Sequence, residues 1–163
     1  MIKGKAWNYG DNVNTDFILP GIYLELTDSE EMAKHAMEGL DVKFADEVED
    51  GDVIIGGRNF GLGSSREHAP LALKHAGVGA VIAESFARIF YRNAINIGLT
   101  VLECEGISNI VKTGDIVEID TDEGVLKINN RESMVFKPIP EFMKRILGAG
   151  GLRNYIKNNR EDW

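Results

Sequence analysis

The stretch Gly56-Gly57-Arg58-Asn59-Phe60-Gly61-Leu62-Gly63-Ser64-Ser65-Arg66-Glu67-His68 gathers the residue types of this chain best suited to chemistry. Four glycines lead into two hydroxyls, a guanidinium, a carboxylate and an imidazole. Asp52-Val53-Ile54-Ile55 before it reads as a buried strand, and Ala69-Pro70-Leu71-Ala72-Leu73-Lys74 after it as a helix. Glycines at such a junction let the backbone take positive φ and approach a ligand closely. A helix N-terminus offers free N–H groups and partial positive charge to an anion. Arg66 adds a planar fork that grips a carboxylate or phosphate with two parallel bonds. The pattern fits an anion held beside two serine hydroxyls. Serine also caps helices and Arg66 also suits a surface, so spacing alone leaves both readings open.

Three named loops are excluded by their missing residues. A Walker loop ends in Gly-Lys-Ser/Thr, and no lysine stands here. A nucleophile elbow is Gly-x-Ser-x-Gly, which Gly63-Ser64-Ser65-Arg66-Glu67 breaks at its last position. A dinucleotide fingerprint needs a third, correctly spaced glycine opening the helix. Serine is a poor base at its ordinary pKa, so it needs a cationic setting to stabilise the alkoxide. The helix N-terminus, Arg66 and a metal on the substrate would supply one. That combination suits proton abstraction beside a carboxylate better than acyl transfer, which needs a histidine base oriented by an acid.

Other reactive residues have duller readings. Asp16, in Asn14-Thr15-Asp16, fits a site or equally an Asx-type turn. Arg88 and Arg92 share a helix face one turn apart, a spacing that reads as an ion-pair face. His35 lies on an expected surface helix and reads as inert. His68 falls in the first turn after the serines, and His75 reads as a dipole or packing residue at a helix end.

The elements that must position these residues alternate. Residues 2–8 read as a strand, closed by Tyr9-Gly10-Asp11-Asn12. A polar turn and an apolar run over 13–19 stop at Pro20-Gly21. Asp28 and Glu31 make a capping-box-like pair opening a helix, with Met32, Ala33, Ala36 and Met37 as its stripe and Gly39 as its end. Val53–Ile55, a helix over 66–76, Ala80–Ala83 and a helix over 86–97 form a βαβα pattern that favours a parallel sheet. Leu99–Leu102 adds a strand. Asp115–Asp120 and Val125–Ile128 about Asp122-Glu123-Gly124 read as a hairpin. A last helix is expected over 141–147, and the polar tail 157–163 is expected to fray.

Composition bounds the partners. The chain has 163 residues, 44% hydrophobic and 27% charged, and fits one domain with a real core. A formal charge of -8 argues against nucleic acid, whose binding needs a basic face. No apolar run reaches membrane-span length and no signal-peptide pattern opens the chain, so a cytoplasmic protein is expected. Cys104 is the single cysteine. It cannot form an intrachain disulfide or hold an iron–sulfur cluster alone, and reads as a packing residue. No metal ligand set is expected; if the chemistry needs a cluster, another chain brings it.

Four motifs in order resemble the small-subunit family of 3-isopropylmalate dehydratases, in the aconitase superfamily. They are Asp11-Asn12-Val13-Asn14-Thr15-Asp16-Phe17-Ile18-Leu19-Pro20, Gly61-Leu62-Gly63-Ser64-Ser65-Arg66-Glu67-His68-Ala69, Ser85-Phe86-Ala87-Arg88-Ile89-Phe90-Tyr91-Arg92-Asn93 and Ala149-Gly150-Gly151-Leu152. The resemblance covers nearly the whole chain. It implies an α/β fold, a swivelling β/β/α domain over 1–163 with a mostly parallel sheet and a C-terminal β-hairpin plus helix. It also implies a large-subunit partner carrying a [4Fe–4S] cluster, no cofactor on this chain, and a small hydroxy-acid substrate isomerised by dehydration and rehydration. By motif position, Ser64 is the base, Ser65 and Arg66 hold a substrate carboxylate, and Asp16 lines the site. A homo-oligomer is left open for the isolated chain.

The resemblance further implies a flexible specificity loop near 21–28, with Tyr23, Leu24, Glu25 and Leu26 as its deciding residues. Relatives acting on homoaconitate carry Tyr-Leu-Arg-Thr there, the arginine pairing with the extra carboxylate. Glu25 in that place repels such a carboxylate, and Leu26 suits a branched alkyl group. Isopropylmalate relatives tend to carry apolar residues here, so the charge of Glu25 disfavours homoaconitate and aconitate without selecting isopropylmalate. The resemblance makes 3-isopropylmalate of leucine biosynthesis the expected substrate, with citramalate and 2,3-dimethylmalate as alternatives. A stand-alone anion-binding regulatory module is the alternative of another class.

Overall fold

A computed structural model describes residues 1–160. Its centre is a seven-stranded sheet in the order β4-β3-β2-β1-β5-β6-β7. The strands are β1 (Ile2–Gly10), β2 (Val53–Gly56), β3 (Ala80–Ala83), β4 (Thr100–Glu103), β5 (Ile116–Asp120), β6 (Val125–Ile128) and β7 (Glu132–Val135). β1 to β4 pair in parallel, whereas β5 runs antiparallel to β1 and opens an antiparallel meander through β6 to β7. The α/β architecture expected from the sequence is present. The expected hairpin is extended by β7, whose Glu132, Ser133 and Val135 are exposed and whose Met134 alone packs against the core.

Eight helices accompany the sheet among the described residues: α1 (Thr15–Ile18), α2 (Ser29–Ala33), α3 (Phe44–Glu47), α4 (His68–His75), α5 (Arg88–Asn96), α6 (Ile107–Ile110), α7 (Glu141–Gly148) and α8 (Leu152–Asn158). Alternate residues of the parallel strands feed two cores, as a period of two demands. Trp7, Ile54, Val81 and Val101 meet Ala69, Leu73, Phe90 and Ile95 on one side. Ala6, Val53, Ile55, Ala80, Ile82 and Leu102 meet Val117, Ile119, Leu126 and Ile107 on the other. Both faces of the parallel half are thus covered, which explains why its strands read as continuous apolar runs.

Three expectations change. Asp28 does cap a helix, accepting from the Glu30 amide at 2.9 Å. That helix stops at Ala33, however, and the chain continues in turns, Met37 taking φ 60°. Met32, Ala36 and Met37 are still buried, so turns deliver the stripe that a longer helix was expected to deliver. The helix expected over 66–76 begins at His68, leaving both serines and Arg66 in the preceding loop. Of the tail 157–163, Lys157 and Asn158 lie in α8, and residues 161–163 fall outside the described residues.

One buried carboxylate ties the sheet's entry together. Asp52, 3% exposed, accepts from the Lys5 amide, the Trp7 indole and the Glu49 amide, each at 3.0 Å. A buried carboxyl so surrounded is satisfied, and it pins β1 to the start of β2, at the end of that strand opposite the loop that carries the serines.

Candidate active site

Two loops at the C-terminal ends of the parallel strands zip together to make the site. The loop after β1 and the loop after β2 exchange backbone bonds: Asn12 N to Arg58 O at 2.8 Å, Gly61 N to Val13 O at 2.7 Å, and Thr15 N to Leu62 O at 2.9 Å. The crevice outside the carboxyl ends of such strands is where ligands bind in open α/β sheets. Two glycines are required by this crossing. Gly61 has φ +85°, and a Cβ there would stand 2.2 Å from Phe90 Cγ. Gly63 has φ +103°, with Thr15 Oγ1 3.3 Å from the place of a Cβ.

Thr15 fixes the next residue. Its hydroxyl donates to the Ser64 carbonyl at 3.0 Å and is itself buried. Ser64 and Ser65 are exposed beyond this anchor. Both line a cavity of about 280 Å³ with Thr15, Gly61, Gly63, Arg66, Ala87, Arg88, Ile89 and Phe90. The walls therefore come from the loop after β1, the glycine loop and the first turn of α5.

Arg66 is oriented by the loop after β1. Its Nη1 donates to Asp16 Oδ1 at 3.0 Å and to the Leu19 carbonyl at 3.3 Å. The Gly21 amide donates to the same Asp16 oxygen at 3.0 Å. Hydrogen bonding from Arg66, then from Gly21, holds the Asp16 carboxyl below the usual carboxylate range. The carboxylate stays ionised through neutral pH, and the contact is lost only as pH falls through that lowered value. One side of the guanidinium is used and the remaining donors are left for a ligand.

The sequence-expected residues fall in two groups. Ser64, Ser65 and Arg66 share the cavity, and Asp16 stands behind Arg66. Tyr23, Leu24, Glu25 and Leu26 do not contribute to its wall. Tyr23 and Leu26 pack against the core, whereas Glu25 is exposed and Ile22 of the same loop is 80% exposed. His68 is half-buried at the start of α4, and His75 is exposed in its last turn. Glu67 rather than a serine takes the N-cap position of α4, without a side-chain cap bond.

Spacing does not show three of the contacts made in and around the cavity. Arg88 was read with Arg92 as an ion-pair face, yet neither joins an ion pair formed among the described residues. Arg88 instead lines the cavity beside Ser64 and Arg66. Thr15 was passed over beside Asp16, though a hydroxyl in a turn facing a glycine loop was a usable signal. His35, read as inert, is stacked on Tyr23, with ring centroids 3.7 Å apart and planes 10° apart.

The donor set of the chain does not fit an iron–sulfur cluster. Cys104 is 2% exposed in the second core with its Sγ 3.7 Å from the Val135 carbonyl, and burial pushes its thiol pKa up. Clusters take several thiolates, and this thiol is committed to packing. Among the described residues no three His, Cys, Asp or Glu side chains converge on a metal-sized space. No helix among them is long and apolar enough to cross a membrane.

Both the sequence and the fold have counterparts among known proteins. Residues 12–106 match the family model of the aconitase C-terminal domain. The 3-isopropylmalate dehydratase small subunit of Halothermothrix orenii is 54% identical over 157 residues, which cover 96% of this chain and 95% of that protein. The isopropylmalate/citramalate isomerase small subunit of Methanocaldococcus jannaschii is 54% identical over 158 residues, 96% of this chain and 94% of that protein. A crystal structure of 3-isopropylmalate dehydratase from Methanocaldococcus jannaschii superposes with a TM-score of 0.94 at 49% identity, covering 99% of this chain and 96% of that one.

Proposed function

We propose, from the premise that this chain belongs to the aconitase C-terminal domain family and within it to the small subunits of 3-isopropylmalate dehydratase, that Ser64 is the base of a two-chain hydro-lyase. The role of the chain is that of a dehydratase small subunit in leucine biosynthesis. The name of those relatives, small subunit, implies a large-subunit partner. We assign the [4Fe–4S] cluster of the reaction to that partner, since the donors of this chain do not fit one. The chain then works as one swivelling domain over 1–163 that docks its cavity onto the large subunit, in the cytoplasm.

The observation that carries the reading is the shared cavity. Exposed Ser64 and Ser65 stand beside an arginine whose other side is already tied to Asp16. Arg66 and Ser65 hold a carboxylate, which acidifies the neighbouring C–H and places it at Ser64 Oγ. The Ser64 alkoxide takes that proton as hydroxide leaves the adjacent carbon, a double bond forms between the two carbons, and the hydroxide takes a proton from solvent to give water. Returning the proton and the water in the opposite sense moves the hydroxyl to the other carbon. The net change is isomerisation of 2-isopropylmalate and 3-isopropylmalate. Arg66 stabilises the charge that develops on the carboxylate and helps the serine ionise.

Specificity rests on the segment near 21–28. Glu25 is exposed there and places negative charge where a homoaconitate-type substrate needs a cation. An alkyl-substituted malate has no such extra carboxylate. Citramalate is the second reading, favoured by the isopropylmalate/citramalate isomerase subunit of Methanocaldococcus jannaschii. The test is a panel of 3-isopropylmalate, citramalate, 2,3-dimethylmalate and homocitrate on the enzyme reconstituted with its large subunit. Isopropylmalate is expected to lead, and Glu25→Arg to raise homocitrate turnover at least about tenfold by turning repulsion into attraction. A wild-type preference for homocitrate would show that Glu25 does not face the substrate.

A further inference from the structure

The segment that carries the proposed specificity residues is fastened at two points. At its start, the Gly21 amide shares Asp16 Oδ1 with Arg66, 3.0 Å from each donor. A Cβ at position 21 would lie 3.7 Å from Arg66 Nη2, so the segment runs directly past the guanidinium. Two residues on, the Tyr23 hydroxyl donates to Glu38 Oε1 at 2.7 Å. The ring of His35 lies flat on the ring of Tyr23, and His35 Nδ1 holds the other oxygen, Glu38 Oε2. One carboxylate thus gathers both rings. Tyr23 donation, with His35 donation adding to it, holds the Glu38 carboxyl below its ordinary range despite partial burial.

Between the fastenings stands Ile22, a large apolar side chain left 80% exposed. Turning Tyr23 inward forces its neighbour outward on the 3-10 turn Gly21–Tyr23. We infer that His35 and Glu38 are positioning residues, which hold Tyr23 inward and thereby fix how residues 22–25 are presented beside Arg66 to the alkyl group of the substrate. The inference rests on reading this segment as the specificity loop. Neither residue touches the cavity, and each acts through Tyr23. A hydrogen bond to a charged group and a ring stack are together worth at least about tenfold in an equilibrium constant, which sets the scale of the effect.

The test uses the reconstituted two-subunit enzyme and separate KM and kcat values for 3-isopropylmalate and citramalate. Glu38→Ala is expected to raise the KM for 3-isopropylmalate about tenfold, with a much smaller change in kcat, and to narrow the discrimination between the two substrates. Tyr23→Phe keeps the ring and removes only the hydroxyl, and should move KM in the same direction by about fivefold. His35→Ala should behave like Glu38→Ala, and His35→Phe should recover most of the loss by restoring a flat ring. Unchanged KM and unchanged discrimination in Tyr23→Phe and Glu38→Ala overturn the inference. If Glu25→Arg alters the substrate ranking while those two do not, only the positioning role fails. If Glu25→Arg also leaves the ranking untouched, the reading of the segment fails with it.

Discussion

Replacing Ser64 with alanine is expected to lower turnover of the reconstituted enzyme about 10³-fold, the scale of a lost general base. Assembly with the large subunit should survive. The hydroxyl is exposed and takes no part in the packing of the loop, so its removal leaves the cavity's shape in place. The loop itself is held through the Ser64 carbonyl, which accepts from Thr15 Oγ1 at 3.0 Å and is present in the variant. Steady-state rates with 3-isopropylmalate, alongside gel filtration of the complex, separate the two effects. Lost turnover with intact assembly identifies a chemical role. Turnover equal to wild type would remove Ser64 as the base, whatever the other residues do.

Gly61→Ala should produce the largest loss of stability among single-atom additions in the site. Its φ of +85° is strained for any side chain, and the new Cβ would stand 2.2 Å from Phe90 Cγ. Phe90 cannot yield readily, because it is 2% exposed and packs edge-on against Phe60 with ring centroids 5.4 Å apart. Backbone strain and overpacking together put the cost at roughly 3–5 kcal/mol, a fall in Tm of about 10 °C or more for a chain of this size. Gly106→Ala is the matched control, since its φ is +78° but nothing lies within 4 Å of its Cβ. It should cost only the strain, about 1 kcal/mol. Thermal unfolding of both variants checks the difference, and equal losses would show that Phe90 makes way.

The parallel half of the sheet was legible because its signal is local. Val53–Ile55 and Ala80–Ala83 are apolar runs buried on both faces, and they occupy β2 and β3 as read. The glycine loop was legible for a related reason: Gly61 and Gly63 stand just before the two serines, and both take the positive φ that glycine favours. What failed to show lies between elements. Arg88 has a readable helix face, but no spacing on α5 says that the face opposite belongs to Ser64 and Arg66. His35 meets Tyr23 from the turns that follow Ala33, a contact between two segments that no period along either one shows. β7 pairs with β6 and sends only Met134 to the core, so no alternating apolar pattern marks it in the sequence. Helix and strand periods describe one element at a time, and contacts across elements are decided by the tertiary fold.

Cys104 was legible as a packing residue from its being the single cysteine. A single thiol, read as a packing residue, is buried against β7 with its pKa raised by burial. In the proposed function, Arg66 and the serines form one wall of a reaction site that the large subunit completes. Reconstitution tests that claim most directly: formation of the unsaturated acid from 3-isopropylmalate is followed with this chain alone, the large subunit alone and the two mixed. Activity is expected in the mixture and in neither component. Turnover by this chain alone, or an inactive mixture of intact subunits, would contradict it.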